Sequence, residues 1–314
     1  MSAPTRAPAS QLPPDATVLA AAHRARQQQI AGMANAQTSR LWQFLGTLGW
    51  AGIGNRLVGI VQAAMREASR GAQDYAAAAA RAWGAEPDPA GTVAEATFAA
   101  TASDGRPLDT LLQQPSLEVA AFVDQGMSEA EADAIGGRHL QRIVTTQVGD
   151  AARVATGVAI VNDRALQGYI RHLTLPSCSR CIILAGRWYR YDAGFARHPL
   201  CDCTATPAAE SIEPLSPREV YDSLTDEERR KAGWSGHDQH AIDDGADLNR
   251  VTNYRRALQS VNVAGRTVKT TVVGFKGQRV KTRLTPEAIY QEAQRLDWTR
   301  DEVIKQLKRH GYIL

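Results

Sequence analysis

The chain has 314 residues, of which 44% are apolar and only 6% aromatic, and its formal net charge is +3. This length is enough to bury one large core or two to three smaller ones. The alanine-rich, aromatic-poor composition favours a mainly α-helical fold and argues against a strand-rich sandwich.

Charge is distributed unevenly along the chain. Residues 17–73 contain six arginines and one acid, residues 86–137 contain ten acids and one arginine, and residues 250–283 contain nine Lys or Arg and no acid. Such blocks of opposite sign indicate contact with charged partners, including other copies of the chain. They argue against a freely diffusing enzyme that acts on a small-molecule substrate.

The first segment carries no signal for secretion or membrane insertion. Residues 1–15 are Pro-rich and polar, lack the apolar centre of a signal peptide, and are predicted to be disordered. The most hydrophobic stretch, residues 44–65, is interrupted by Asn55, Arg56 and five glycines, which favours a buried or interfacial helix over a membrane span. We therefore expect synthesis in the cytoplasm, where disulfides are rare, and no membrane partner.

Helical patterns dominate the next two segments. Residues 16–137 are predicted to form a helical N-terminal region, and residues 138–260 a central α domain. Ser128 and Glu131 form a capping box that predicts a helix start. An apolar stripe with spacings of three and four follows and predicts one long helix. This helix would lead directly into the cysteine segment, residues 175–205, which contains all four cysteines. The members of the stripe are Leu140, Val144, Val148, Ala151, Val154, Val158, Val161, Ala165 and Tyr169.

All four cysteines lie within residues 175–205, with the spacing Cys178-x2-Cys181 and Cys201-x-Cys203, and His198 three residues before Cys201. Four thiolates, or three with the imidazole, complete the tetrahedron that Zn²⁺ prefers, so the segment predicts a structural zinc knuckle. The aromatic run between the two cysteine pairs, "GRWYRYDAGF", indicates a small β-hairpin.

Three other interpretations of the cysteines stay open. Buried thiols can act as small hydrophobic groups, two cysteines can form a disulfide, and His198 with Cys201 or Cys203 can form a catalytic couple. The second cysteine pair is C-x-C rather than C-x2-C, so the segment departs from the strongest zinc pattern.

Capping signals recur after the cysteines. Thr225 with Glu228 and Ser235 with Asp238 predict two short helices. Residues 261–284 form a basic arm, predicted as a β-hairpin or as an arm that orders on binding. Residues 285–314 are predicted to form a helical hairpin. Pro286 takes the first position of one helix, Thr299 and Glu302 form a capping box at the start of the other, and Gly311 ends it.

Basic residues of the arm and its approach are candidates for binding nucleic acid or an acidic protein partner, with a solvated arm as the alternative. They are Arg250, Arg255, Arg256, Arg266, Lys269, Lys276, Arg279, Lys281 and Arg283. A second cluster, "HDQHAIDDGAD", would place His240, Asp243 or Asp244, and Asp247 on one helix face. It is interpreted either as a cation or phosphoesterase site or, more simply, as helix-capping and solvated acids.

The segment "PSCSRCIILAGRWY…FARHPLCDC" resembles the MuF-like minor capsid, or head morphogenesis, proteins of tailed phages, in the form whose gene usually follows the portal gene in phages of actinobacteria. The matching signature positions are Cys178, Cys181, Gly186, Trp188, His198, Pro199, Cys201 and Cys203. With the later stretch "SLTDEERRKAGWSGHDQHAIDDGADLNRVTN", the resemblance spans residues 151–253.

This resemblance implies a virion protein inside the capsid that contacts the portal or major capsid protein, with packaged DNA as a further candidate partner. Some such proteins are described as capsid maturation proteases, and that activity is the rival. A DNA-binding protein is a second alternative. The chain contains no G-x-S-x-G elbow, H-E-x-x-H or P-loop motif, so we expect a structural role without turnover and without a small-molecule substrate.

Overall fold

The computed structural model describes residues 12–194, 201, 203–263, 266–271 and 283–313. Within these residues the fold is mainly helical, with two small antiparallel sheets of three strands each, which confirms the predicted fold class. The chain divides into two compact units. The larger unit contains Ser10–His172 and Gly186–Pro214, and the smaller unit contains Leu173–Ala185 and Leu215–Leu314. Within the described residues, we find no helix with the length and apolar character needed to span a bilayer.

Five helices form most of the larger unit: α1 (Pro14–Trp42), α2 (Leu45–Ser69), α3 (Ala72–Ala82), α4 (Leu108–Asp124) and α5 (Glu129–Asn162). Helices α1 and α2 run antiparallel, because Arg26 in α1 bonds to Glu67 and Gln27 bonds to the carbonyl of Ala68, both near the end of α2. The core of this unit packs apolar side chains from α1, α2, α4 and α5, including Ile53, Leu57, Val61, Leu112, Leu140, Val144 and Val148.

Helix α5 begins where the sequence predicts, since the Ser128 hydroxyl accepts a hydrogen bond from the Glu131 N–H. The prediction that the apolar stripe stays helical to residue 169 is wrong. The helix ends at Asn162, because the Asp163 carboxylate accepts hydrogen bonds from the N–H groups of Asp88 and Ala165 and fixes an extended turn. Earlier in the stripe, Val154, Val158 and Val161 are exposed; alanines at 155 and 159 face the core instead.

A strand therefore separates α5 from the cysteine segment. Strand β1 (Gly168–His172) lies between β2 (Trp188–Arg190) and β3 (Thr204–Ala208), antiparallel to both. The predicted strand at Trp188 is present, but it pairs with β1 rather than within the cysteine segment. Gly168 is required in β1, since a Cβ there would collide with the carbonyl oxygen of Tyr189.

The smaller unit contains short helices: α6 (Ser179–Ile182), α7 (Pro217–Asp222), α8 (Asp226–Ala232), α9 (Gly236–Asp243), α10 (Leu248–Asn253), α11 (Pro286–Leu296) and α12 (Arg300–Arg309). Its sheet has the order β4 (Leu258–Val263), β5 (Arg266–Thr271) and β6 (Arg283–Leu284). The first two strands form a hairpin, which was one of the two predictions for the basic arm. The capping boxes predicted at Thr225, Ser235 and Thr299 are all confirmed.

Two aromatic contacts organise this smaller unit. The rings of Tyr221 and Trp234 are buried and meet edge to face at 5.1 Å, and the Trp234 indole N–H donates to the Thr252 hydroxyl at 3.0 Å. Near the end of the chain, buried Tyr312 donates its hydroxyl proton to the Leu284 carbonyl, and its own carbonyl accepts from the Asp247 N–H at 2.7 Å.

Candidate metal centre

The two cysteine pairs lie in different secondary-structure elements. Cys178 is the residue before α6, and Cys181 lies on that short helix, so one helical turn carries both thiols of the C-x2-C pair. Cys203 directly precedes β3, and Cys201 lies two residues earlier. None of the four cysteines is in a disulfide.

The two thiols of the C-x-C pair come together in the larger unit. The sulfur atoms of Cys201 and Cys203 lie within 4.8 Å of each other, and both residues are at most 6% exposed. Cys181, in the smaller unit, is also buried. Two thiolates bound to one zinc ion in a tetrahedral site are separated by about 3.8 Å, given a Zn–S bond of about 2.3 Å. Cys201 and Cys203 are therefore close enough to share a metal ion. The Cys178 thiol is half-buried, and the predicted ligand His198 lies outside the described residues.

A buried guanidinium accompanies the thiols. Arg171, in the middle of β1, is 1% exposed, and its Nη2 lies 3.8 Å from the Sγ of Cys201. The backbone of Arg171 is held on both sides, since its N–H donates to the Arg187 carbonyl and its carbonyl accepts from the Gly186 N–H. A dication bound by three thiolates and one neutral ligand would carry one net negative charge, which one arginine would balance.

A second arginine holds the backbone of the C-x-C pair. Arg153, on α5, donates from Nε to the Cys203 carbonyl at 3.0 Å and from Nη2 to the Cys201 carbonyl. Its Nη1 also bonds to Asp150 at 2.8 Å, one turn earlier on the helix. The guanidinium thus connects the rigid helix to the loop that carries two thiols, as supporting residues around metal ligands commonly do.

A cavity of about 270 Å³ in the larger unit adjoins this site. Its lining includes His23, Arg153, Cys201 and Thr204. The His23 ring stacks on Tyr75 with centroids 4.1 Å apart, and burial, followed by the charges of Arg26 and Arg153, lowers the pKa of His23 to about 4. A neutral imidazole with so low a pKa is a weak general base at pH 7.

Several predicted basic binding residues make contacts within the smaller unit. Arg250 donates to the Gly311 carbonyl, Arg255 pairs with buried Asp238, and Lys269 pairs with Glu287 at 2.9 Å.

The other predicted basic residues lie in different environments, or outside the described residues. Arg283 lies over the Tyr312 ring at 4.3 Å, and Arg256 is exposed. Arg266 begins β5, whereas Lys276, Arg279 and Lys281 lie outside the described residues. Their role in binding a partner stays a prediction.

The second predicted cluster does not lie on a single helix face. Helix α9 ends at Asp243, and Asp247 caps the start of α10, because Gly245 with φ +98 separates the two helices. Asp238 is fully buried and accepts hydrogen bonds from Ser235, Tyr254 and Arg255. Asp244 accepts from the Tyr290 hydroxyl and Arg300. The simpler helix-capping interpretation therefore explains Asp238, and the single-face geometry is wrong.

Arg153 and Arg171 were not predicted as site residues. One signal was available for Arg171, which interrupts the otherwise mostly apolar run "GYIRHLTL" just before the first cysteine pair. A charged residue in such a buried run needs a partner. Arg153 gives no comparable local signal, since it lies 48 residues from Cys201.

Residues 15–227 match the family described as VG15 protein. The match covers more than half of the chain and includes all four cysteines, Arg153 and Arg171. The chain belongs to the VG15 protein family. VG15 proteins are phage-associated viral gene proteins, so membership supports a phage protein with a structural, virion-related role. No curated protein and no solved structure gives a significant match to the chain.

Proposed function

We propose that this VG15 protein is a minor capsid protein of the MuF-like, head-morphogenesis kind, a structural component inside the phage head that acts without turnover. The observation that carries the proposal is the VG15 match over residues 15–227, which contains the cysteine segment with its MuF-like signature. Its proposed partners are the portal or major capsid protein. Packaged DNA is a further proposed partner, through exposed cations such as Arg256.

We further propose that the cysteine cluster binds one structural Zn²⁺. Cys181, Cys201 and Cys203 would supply three thiolates, and Cys178 or His198 would supply the fourth ligand. The donor set fits, because buried thiols beside a buried arginine match a soft dication in charge and in ligand type. Bound zinc would supply a cross-link between segments about twenty residues apart, in a part of the chain with few large apolar side chains.

Burial supports a structural role for the thiols. A nucleophilic cysteine must reach its substrate, whereas Cys181 and Cys203 are at most 1% exposed. The contact between Arg171 and the Cys201 sulfur fixes that side chain in the interior.

Elemental analysis of the full chain, purified under reducing conditions, tests the metal. We expect about one zinc per chain. Cys203→Ser should lose the metal and lower the urea-unfolding midpoint, whereas Ser211→Ala, at an exposed serine nearby, should leave both unchanged. Wild-type protein without bound metal, or a Cys203→Ser variant that is as stable as the wild type, would contradict the zinc proposal.

The virion role is tested in the phage. A stop codon in the gene should yield lysates without infectious, DNA-filled heads, and mass spectrometry of purified wild-type virions should detect the chain at low copy number. A chain that is abundant in lysates but absent from purified virions would contradict the proposal.

The cavity shared by His23 and Cys201 favours one specific rival, a thiol-dependent capsid maturation protease. Purified chain is incubated with capsid or scaffold protein, in parallel with Cys201→Ala and His23→Ala variants. Cleavage that requires both side chains would replace our proposal. Absence of cleavage, or cleavage unaffected by either variant, would count against the rival.

A further inference from the structure

The larger unit has an open groove on its helical surface. It lies between α1 and α2 and has a volume of about 710 Å³. Its apolar lining includes Ile30, Met33, Leu41, Ile60 and Ala63. Met33 is 50% exposed, and a Cβ built on Gly59 would meet no atom within 4 Å. This groove therefore has room for a side chain from another molecule.

Two cations lie at one end of the groove. Arg40, near the end of α1, and Arg56 on α2 face the same end because the two helices run antiparallel. Neither arginine has a carboxylate partner among the described residues. The groove's own acid, Glu67, lies at the opposite end and is already paired with Arg26 at 2.7 Å and Arg70 at 3.0 Å. The groove thus favours an occupant that combines apolar and acidic groups.

In the same unit, helix α4 has a surface that combines apolar and acidic side chains. Leu117, Ala121 and Asp124 are all exposed, and their spacing of four and three residues places them on one helix face. Leu117 is 58% exposed. Beyond Asp124, the start of α5 adds exposed Glu129 and Asp133, and none of these three acids has a cation partner among the described residues.

The two surfaces match in length. Leu117 and Asp124 are seven residues apart on α4, and Arg56 and Ala63 are seven residues apart on α2. Both separations correspond to about 10 Å along a helix axis. An Asp124 carboxylate beside Arg56 would therefore place Leu117 near Ala63, and would place Ala121, three residues from Asp124, near the open space at Gly59, three residues from Arg56.

We propose that α4 of a second copy of this chain docks in the α1–α2 groove, so that the chain associates head to tail through two different surfaces. Such a contact either closes into a ring or continues as a filament, depending on the rotation between copies. This inference does not depend on the zinc site or on the proposed virion role.

The test measures the mass of the full chain by sedimentation and light scattering. One helix in a groove buries less surface than a standard interface, so the dissociation constant should be on the order of 10–100 µM. The weight-average mass should therefore rise over that concentration range, and the rise should diminish at high salt. A wild-type chain that stays monomeric throughout overturns the proposal.

Variants identify the surfaces. Gly59→Leu fills the open space and should abolish association, while adding a better helix former to α2. Gly32→Leu is the matched control, because Gly32 is also a helical glycine with no atom within 4 Å of a built Cβ, yet it does not line the groove. Association of Gly59→Leu as strong as that of Gly32→Leu overturns the groove assignment.

A charge exchange tests the acidic partner. Arg56→Glu and Asp124→Arg should each weaken association at least about threefold, and the double variant should recover most of the loss. Unchanged association of Asp124→Arg, or no recovery in the double variant, overturns the assignment of α4 as the occupant.

Discussion

The Nη2 of Arg171 lies 3.8 Å from the Sγ of Cys201, and both side chains are in the interior of the protein. Burying a charge is costly, and a negative sulfur at Cys201 would offset part of that cost for Arg171.

Replacing Arg171 should weaken metal binding without removing a ligand. We expect Arg171→Met to reduce zinc affinity about tenfold or more, because the metal–thiolate group loses its balancing charge, and Arg171→Lys to retain part of the affinity. Competition against a chromophoric chelator measures both. Equal affinities for the wild type and Arg171→Met would show that the arginine has no part in the metal site.

Arg153 should contribute to stability through the backbone of the C-x-C pair. Arg153→Met removes the donors to the Cys201 and Cys203 carbonyls and leaves Asp150 without this partner, so we expect a loss of about 2 kcal/mol in the free energy of unfolding. Arg164→Met is the control. Its ion pair with Asp88 is exposed, and the change should stay within about 0.5 kcal/mol. Similar losses in the two variants would refute this role.

Asp238 should be a strongly stabilising residue of the smaller unit. Asp238→Ala removes the acceptor for Ser235, Tyr254 and Arg255 in a fully buried location, so we expect a loss of about 3 kcal/mol. Asp226→Ala, which removes an exposed first-turn acid of α8, should cost less than about 1 kcal/mol. Urea unfolding of the two variants gives the comparison, and a small loss for Asp238→Ala would contradict the buried network.

His310 should make stability depend on pH. Burial, followed by the charges of Arg309 and Arg283, lowers the pKa of His310 to about 4, and its Nδ1 accepts a hydrogen bond from the Leu284 N–H. In the unfolded chain this histidine titrates near 6.5. Its stabilising contribution is therefore fully present above about pH 6.5 and is lost as the pH falls towards 4.

The variant His310→Gln should flatten this part of the pH profile of the unfolding free energy. Acid release of any bound metal would affect both proteins equally, so the difference between the two profiles isolates His310. Identical slopes for the wild type and His310→Gln would contradict the prediction.

Local sequence signals predicted the starts of helices well. Ser128, Thr225, Ser235 and Thr299 each cap a helix as predicted, because a capping box is satisfied within four residues and needs no distant partner. The end of α5 was missed for the opposite reason. It depends on the Asp163 carboxylate bonding to the backbone of Asp88, which is 75 residues away in the sequence.

At the candidate site, too, local patterns could be predicted and contacts between distant residues could not. The spacing of the cysteines identified the thiols, and those of Cys201 and Cys203 do lie together. The arginines that surround them could not be identified from spacing, since Arg153 reaches Cys203 across 50 residues. The α9–α10 cluster was misjudged because a helical face was extended through Gly245, whose positive φ ends the helix.

Tyr312 has a consequence for how this protein forms during translation. Its carbonyl accepts a hydrogen bond from the Asp247 N–H at the start of α10, and its hydroxyl donates to the Leu284 carbonyl. The smaller unit therefore cannot complete its interior until residue 312 has left the ribosome, although α9 and α10 are synthesised some sixty residues earlier. A nascent chain that stalls before this point should expose Tyr254, whose ring meets that of Tyr312, to chaperones, while the helices of residues 14–162 have already emerged.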